Sequence, residues 1–117
     1  MKLASEIVVG FVALEHLYFL VLEMFLWDKP TGLKAFGQTQ EMATATKALA
    51  ANQGLYNGFL SAGLVWGLVR GSSAVQVFFL GCVVVAGLFG AVTVSRKILW
   101  LQALPAAVGL ALVLAGS

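Results

Sequence analysis

The chain has 117 residues, 61% of them hydrophobic and only 10% charged, with a formal net charge of +2. A water-soluble domain carries about 25% charged residues, so this composition does not cover the surface of a soluble globule. The basic excess is too small and too dispersed for a nucleic-acid footprint, and the lone cysteine, Cys82, excludes an internal disulfide.

A membrane-spanning helix needs about 20 mostly apolar residues, and the sequence holds four such stretches. The first is residues 5–27. Lys2 resembles the basic start of a signal peptide, but the stretch contains Glu15, His16 and Glu23 and precedes no small-residue cleavage site. It also exceeds the roughly 7–15 residues of a signal-peptide core, so a retained span is expected. Asp28-Lys29-Pro30-Thr31-Gly32 ends it with charge, proline and glycine. The connection that follows, residues 28–50, has a second half free of glycine and proline, expected to be helical. It either lies at the membrane interface or extends the next span.

The second span is residues 51–69, closed by the turn Arg70-Gly71-Ser72-Ser73. The third is residues 74–94, and Ser95-Arg96-Lys97 separates it from the fourth, residues 98–116. Pro105 lies inside the fourth span, where a kink is expected rather than a break. The expected architecture is all-α: one membrane domain, an antiparallel bundle of four transmembrane helices with an interfacial or helical first loop. Lys29, Lys34, Lys47, Arg96 and Lys97 fall on one side, against Lys2 and Arg70 on the other. That bias places the first and third loops in the cytoplasm and both termini outside. Small residues recur every four positions at Gly54, Gly58 and Ala62, at Gly87, Ala91 and Ser95, and at Ala107, Ala111 and Ala115, a spacing that lets helices approach closely in lipid. In its apolar run, Cys82 reads as a small buried hydrophobe.

Chemistry in such a chain resides in its intramembrane polar groups. A carboxylate near the bilayer centre costs about 2.5–3.5 kcal/mol on insertion scales, so it is expected to face the bundle interior or water. Glu23 is about 10 Å from the midpoint of the first span, toward the first loop. Asn52, Gln53, Tyr56 and Asn57 fall about 6 to 14 Å from the midpoint of the second, also toward that loop. Gln102 in the fourth span lies about 7 Å off its midpoint on the same side, and Thr93 ends the third span there. The polar groups thus gather in one leaflet, which points to a polar cavity opening toward the first and third loops. His16 and Glu23 share a helix face within about 20°, and Glu15 sits about 100° away. Asn52, Gln53 and Asn57 also read as interhelical hydrogen-bonding residues, and Trp27 and Trp100 as interface aromatics.

The stretch from Glu15 to Trp27, the stretch Asn52-Gln53-Gly54-Leu55-Tyr56-Asn57-Gly58-Phe59, and the short pieces Lys34-Ala35-Phe36-Gly37 and Thr46-Lys47 resemble the bacterial domain-of-unknown-function 1304 family over nearly the whole chain. That resemblance implies a small integral membrane protein of the bacterial inner membrane and no assigned activity.

Three functions fit these residues. The first is an intramembrane site binding or passing a small amphipathic ligand or a proton, with His16 titrating, Glu23 as its partner, and Asn52, Gln53, Tyr56, Asn57 and Gln102 lining it. The second is a membrane enzyme in which Glu15, His16 and Glu23 supply acid–base chemistry to a lipid-soluble substrate. The third is an accessory protein whose polar groups only fix helix packing. No nucleophile, phosphate-loop or redox motif is visible, so no cofactor is expected, and one histidine with scattered carboxylates matches no metal-ligand spacing. The expected partners are the lipid bilayer, a small amphipathic ligand and a second copy of the chain in a homo-oligomer.

Overall fold

The computed structural model describes residues 2–116, and over them every regular element is helical. Helix α1 is Lys2–Met24. It ends three residues before the expected limit of the first span because the amides of Phe25 and Leu26 both turn to the Val21 carbonyl, 3.0 and 3.2 Å away. Trp27 therefore lies in the turn beyond the helix.

Helix α2 is Pro30–Phe36, with Pro30 in its first turn, where a missing N–H costs nothing. Gly37 closes it in the left-handed region at φ 60°. Helix α3 is Gln40–Val69, a single element of 30 residues. Thr39 caps it by accepting the Met42 amide at 3.2 Å. The glycine-free run after Gln38 thus continues into the expected second span as one helix. Helix α4 is Ser73–Thr93, capped by Ser72, whose Oγ accepts the Val75 amide at 3.2 Å.

A π-helical turn, Leu99–Ala103, leads directly into α5, Leu104–Gly116. Its place is explained by Pro105, which has no N–H for the Leu101 carbonyl and whose ring crowds that oxygen. Widening the preceding turn by one residue relieves the clash without ending the helix.

Among the described residues, three helices are long and apolar enough to cross a membrane: Lys2–Met24, Ser73–Thr93 and Leu99–Gly116. The second expected span, in α3, is long enough but not among them. Asn52, Gln53, Tyr56 and Asn57 fall in consecutive turns of it and dilute its apolar character.

The chain divides into two compact units, one of Met1–Leu14 with Leu60–Ser117 and the other of Glu15–Phe59. The core of the first is built from Val9, Val12 and Ala13 of α1, Leu64 of α3, Leu80 and Val83 of α4, and Ala106 and Val113 of α5. Two buried polar side chains tie its helices together. Ser61 donates to the Ala13 carbonyl at 2.7 Å, and Gln76 donates to the Gly67 carbonyl at 3.1 Å. In apolar surroundings such bonds contribute about 0.6 kcal/mol each.

Of the small-residue rows, Gly87 makes a close approach. A Cβ there would stand 2.8 Å from the backbone nitrogen of Ala103, so only glycine admits that contact between α4 and the π turn. Ala107, Ala111 and Ala115, by contrast, are exposed, and α5 buries Ala106, Gly109 and Val113 instead. Cys82 is half-buried rather than enclosed.

Candidate functional site

The site lies in the unit Glu15–Phe59, where the last turns of α1 run antiparallel to the first half of α3. The order of contacts shows the direction: Glu23 meets Gln53 and Asn57, Trp27 meets Thr46, and Asp28 meets Lys47. Close approach depends on glycine. A Cβ on Gly54 would fall 2.7 Å from Met24 Cγ, 3.0 Å from Glu23 Cβ and 3.3 Å from the Leu20 carbonyl oxygen. The next glycine on that row, Gly58, abuts Leu20. These two glycines bring α3 near enough for short amide side chains to reach across.

At the centre is the carboxylate of Glu23, 3% exposed. Gln53 Nε2 donates to its Oε2 at 2.7 Å, and Asn57 Nδ2 donates to its Oε1 at 2.5 Å. Both oxygens thus accept from neutral amides, and among the described residues no cationic side chain pairs with this acid. Gln53 is exposed and Asn57 half-buried. No described residue donates a hydrogen bond to the carbonyl oxygen of either amide.

Beyond the helix end, two neighbouring contacts clasp the same pair of elements. Trp27 Nε1 donates to Thr46 Oγ1 at 3.1 Å, and the indole also packs on Phe36 with ring centroids 4.8 Å apart. Asp28 pairs with Lys47 at 3.0 Å. The hydrogen bond from Lys47 holds the Asp28 carboxyl below its ordinary range. Both members keep water access, so the pair stabilises the clasp only slightly.

The remaining predicted residues are distributed as follows. His16 is fully buried, its ring edge-on to Phe19 with centroids 5.2 Å apart. It precedes Glu23 by two turns, about 10 Å along the axis, and both oxygens of Glu23 accept from the amides. Asn52 and Tyr56 occupy the adjacent row of α3 and are exposed, the Tyr56 ring meeting Phe59 edge-on at 5.7 Å. Gln102 is half-buried in the π-helical turn of the other unit. Thr93 is exposed and donates to the Phe89 carbonyl of its own helix. Glu15 is half-buried, with Oε1 enclosed and without a hydrogen-bond partner among the described residues. Ser61 and Gln76 went unassigned in the sequence. Their signal was a polar residue within an apolar stretch, Ser61 near the middle and Gln76 near the edge, but nothing in their spacing named a backbone carbonyl as the partner.

Among the described residues, no group of three or more histidine, cysteine or acidic side chains is disposed to hold a metal ion.

Comparison with known proteins adds a family. The family model described as "Protein of unknown function (DUF1304)" matches residues 10–114. The chain is also similar to an uncharacterized protein, YpaA, of Lactococcus lactis subsp. lactis (strain IL1403). The two are 30% identical over 95 residues, covering 78% of this chain and 80% of the relative. No solved structure matches the chain.

Proposed function

The chain belongs to the DUF1304 family, and from its own site we propose that it is a small integral membrane protein whose Glu23–Gln53–Asn57 cluster binds a small amphipathic molecule within the bilayer. In this reading the chain crosses the bacterial inner membrane four times as one domain, with residues 28–50 and 95–97 cytoplasmic and both termini outside. The second crossing is the later part of α3. At 1.5 Å per residue its 30 residues extend about 45 Å, against about 30 Å of hydrocarbon. Its first turns, with Gln40, Glu41, Thr44 and Lys47, then reach past the apolar layer into the headgroups.

The observation that carries the proposal is the unequal burial of the three partners. A carboxylate retained only to bind helices together is served best when every partner is enclosed. Here Glu23 is enclosed, while Gln53, which holds one of its oxygens, is exposed. Rotation of the Gln53 side chain alone opens a path to Glu23 with α1 and α3 left in place. An apolar approach leading to a few polar groups suits an amphipathic ligand. His16, enclosed two turns away on the same face, lies toward the bilayer centre and serves as a second polar group for a longer ligand or a proton.

Trp27 sits one turn beyond Glu23 and can report on occupancy. In a chain with Trp66→Phe and Trp100→Phe, quenching of its emission by 6-bromohexanol is expected to saturate, and Asn57→Leu is expected to remove the saturable component. Quenching that rises linearly with probe, as simple partitioning gives, would refute the site.

A further inference from the structure

We propose that the ligand of the Glu23 site is an organic ammonium ion, one that carries N–H donors on an apolar body. The inference rests on the reading of this cluster as a binding site and adds the charge and hydrogen-bonding character of what binds.

It follows from counting donors and acceptors. The cluster contributes one carboxylate and two primary amides. Each amide spends an N–H on Glu23, and no other side chain donates to the three residues among those described. Spare acceptor capacity remains on the Gln53 and Asn57 carbonyls and on the second lone pairs of the Glu23 oxygens. Acceptors therefore outnumber donors, and a complementary ligand must bring hydrogens rather than lone pairs. A carboxylic acid anion or a phosphate does the opposite.

Charge selects further. Lys47 is paired with Asp28, and the side chains that donate to Glu23 are the neutral amides of Gln53 and Asn57. An acid in an apolar medium gains most from a cation that also donates to it, because charge-assisted bonds are shorter and about twice as strong as neutral ones. An ammonium group supplies both, with up to three N–H donors directed at Glu23 and the amide carbonyls. A quaternary ammonium supplies the charge without the donors, and an alcohol a single donor without the charge.

The surroundings call for an organic body rather than a bare metal ion. Leu20 and Met24 flank Glu23 on α1, both contacting the glycine row of α3. Exposed Tyr56 lies on the neighbouring row, where an aromatic face favours a cation's alkyl neighbours as well as its charge. Binding exchanges the Gln53 amide for the ammonium on Glu23 Oε2, while Asn57 keeps its hold on Oε1.

The test is calorimetric titration of the full chain in dodecylmaltoside micelles with four probes of equal length: hexylammonium, hexyltrimethylammonium, hexanol and hexanoate. Hexylammonium is expected to bind saturably at one per chain and at least tenfold more tightly than the other three, and E23Q is expected to abolish that preference. Because the probe ranking is measured on the unsubstituted chain, it stands even where E23Q folds poorly. Equal affinity for hexylammonium and hexanol would overturn the ammonium assignment while leaving the binding site standing. Equal affinity for hexylammonium and hexyltrimethylammonium would overturn the role given to the N–H donors. If none of the four binds saturably, the assignment and the site fall together.

Discussion

Gln53 reaches back across thirty residues of sequence to place its amide nitrogen 2.7 Å from Glu23 Oε2. The contact joins the most exposed member of the cluster to the most enclosed one. It lets an acid lie inside an apolar helix pair and leaves the amide that serves it accessible from outside.

The two amides are expected to differ in what they contribute. Asn57→Ala leaves Glu23 Oε1 enclosed with no donor, which costs about 1–3 kcal/mol. Gln53→Ala opens Oε2 to whatever surrounds the exposed position and should cost less than half as much. Reversible unfolding in mixed micelles measures both, and equal losses would contradict the arrangement described.

Glycine substitutions separate close packing from helix propensity. At Gly54 an added Cβ meets Glu23 Cβ at 3.0 Å and the Leu20 carbonyl at 3.3 Å, so Gly54→Ala forces α3 outward and should destabilise the chain by about 1–3 kcal/mol. At Gly10 nothing lies within 4 Å of the new atom. Gly10→Ala should therefore be neutral or stabilising by up to about 1 kcal/mol. The same unfolding assay compares the pair.

The Asp28–Lys47 clasp predicts a pH dependence of definite sign. Asp28 has its carboxyl held low by the Lys47 hydrogen bond, so its stabilising contribution is complete above the unfolded value of about 3.9. It is lost as pH falls through the lower folded value. Melting temperatures of the native chain and Asp28→Asn should differ slightly at pH 7 and converge toward pH 2. Added salt should shrink the difference at pH 7. A gap that widens on acidification would contradict the pairing.

Topology is tested by single cysteines in a Cys82→Ala background. Ser95→Cys should react with a membrane-impermeant maleimide only after the membrane is opened, and Ser72→Cys in intact spheroplasts. The reverse pattern would invert the proposed orientation or remove the α3 crossing, and reaction of both from one side would remove the α4 crossing.

The places where helices stop were legible in the chain because breakers act locally. Asp28 to Gly32, Gly71-Ser72 and Ser95-Arg96-Lys97 interrupt apolar runs, and the observed helices end at or near each of them. Pro105 marked the distortion of the last helix for the same reason, since its missing N–H acts on its own preceding turn. The acid and amides worth attention were legible too, because ionisable or amide groups in an apolar span carry a cost that demands a partner.

Which partner each one takes is a matter of rotation about the helix axis, and tertiary packing decided it. Gln53 and Asn57 share the row that meets Glu23, and Asn52 and Tyr56, one residue earlier in each case, are turned about 100° away. Likewise α5 buries Ala106, Gly109 and Val113 and exposes Ala107, Ala111 and Ala115. A helix apolar on every side carries no stripe to mark its inner face, so only the shapes of its neighbours choose among its rows.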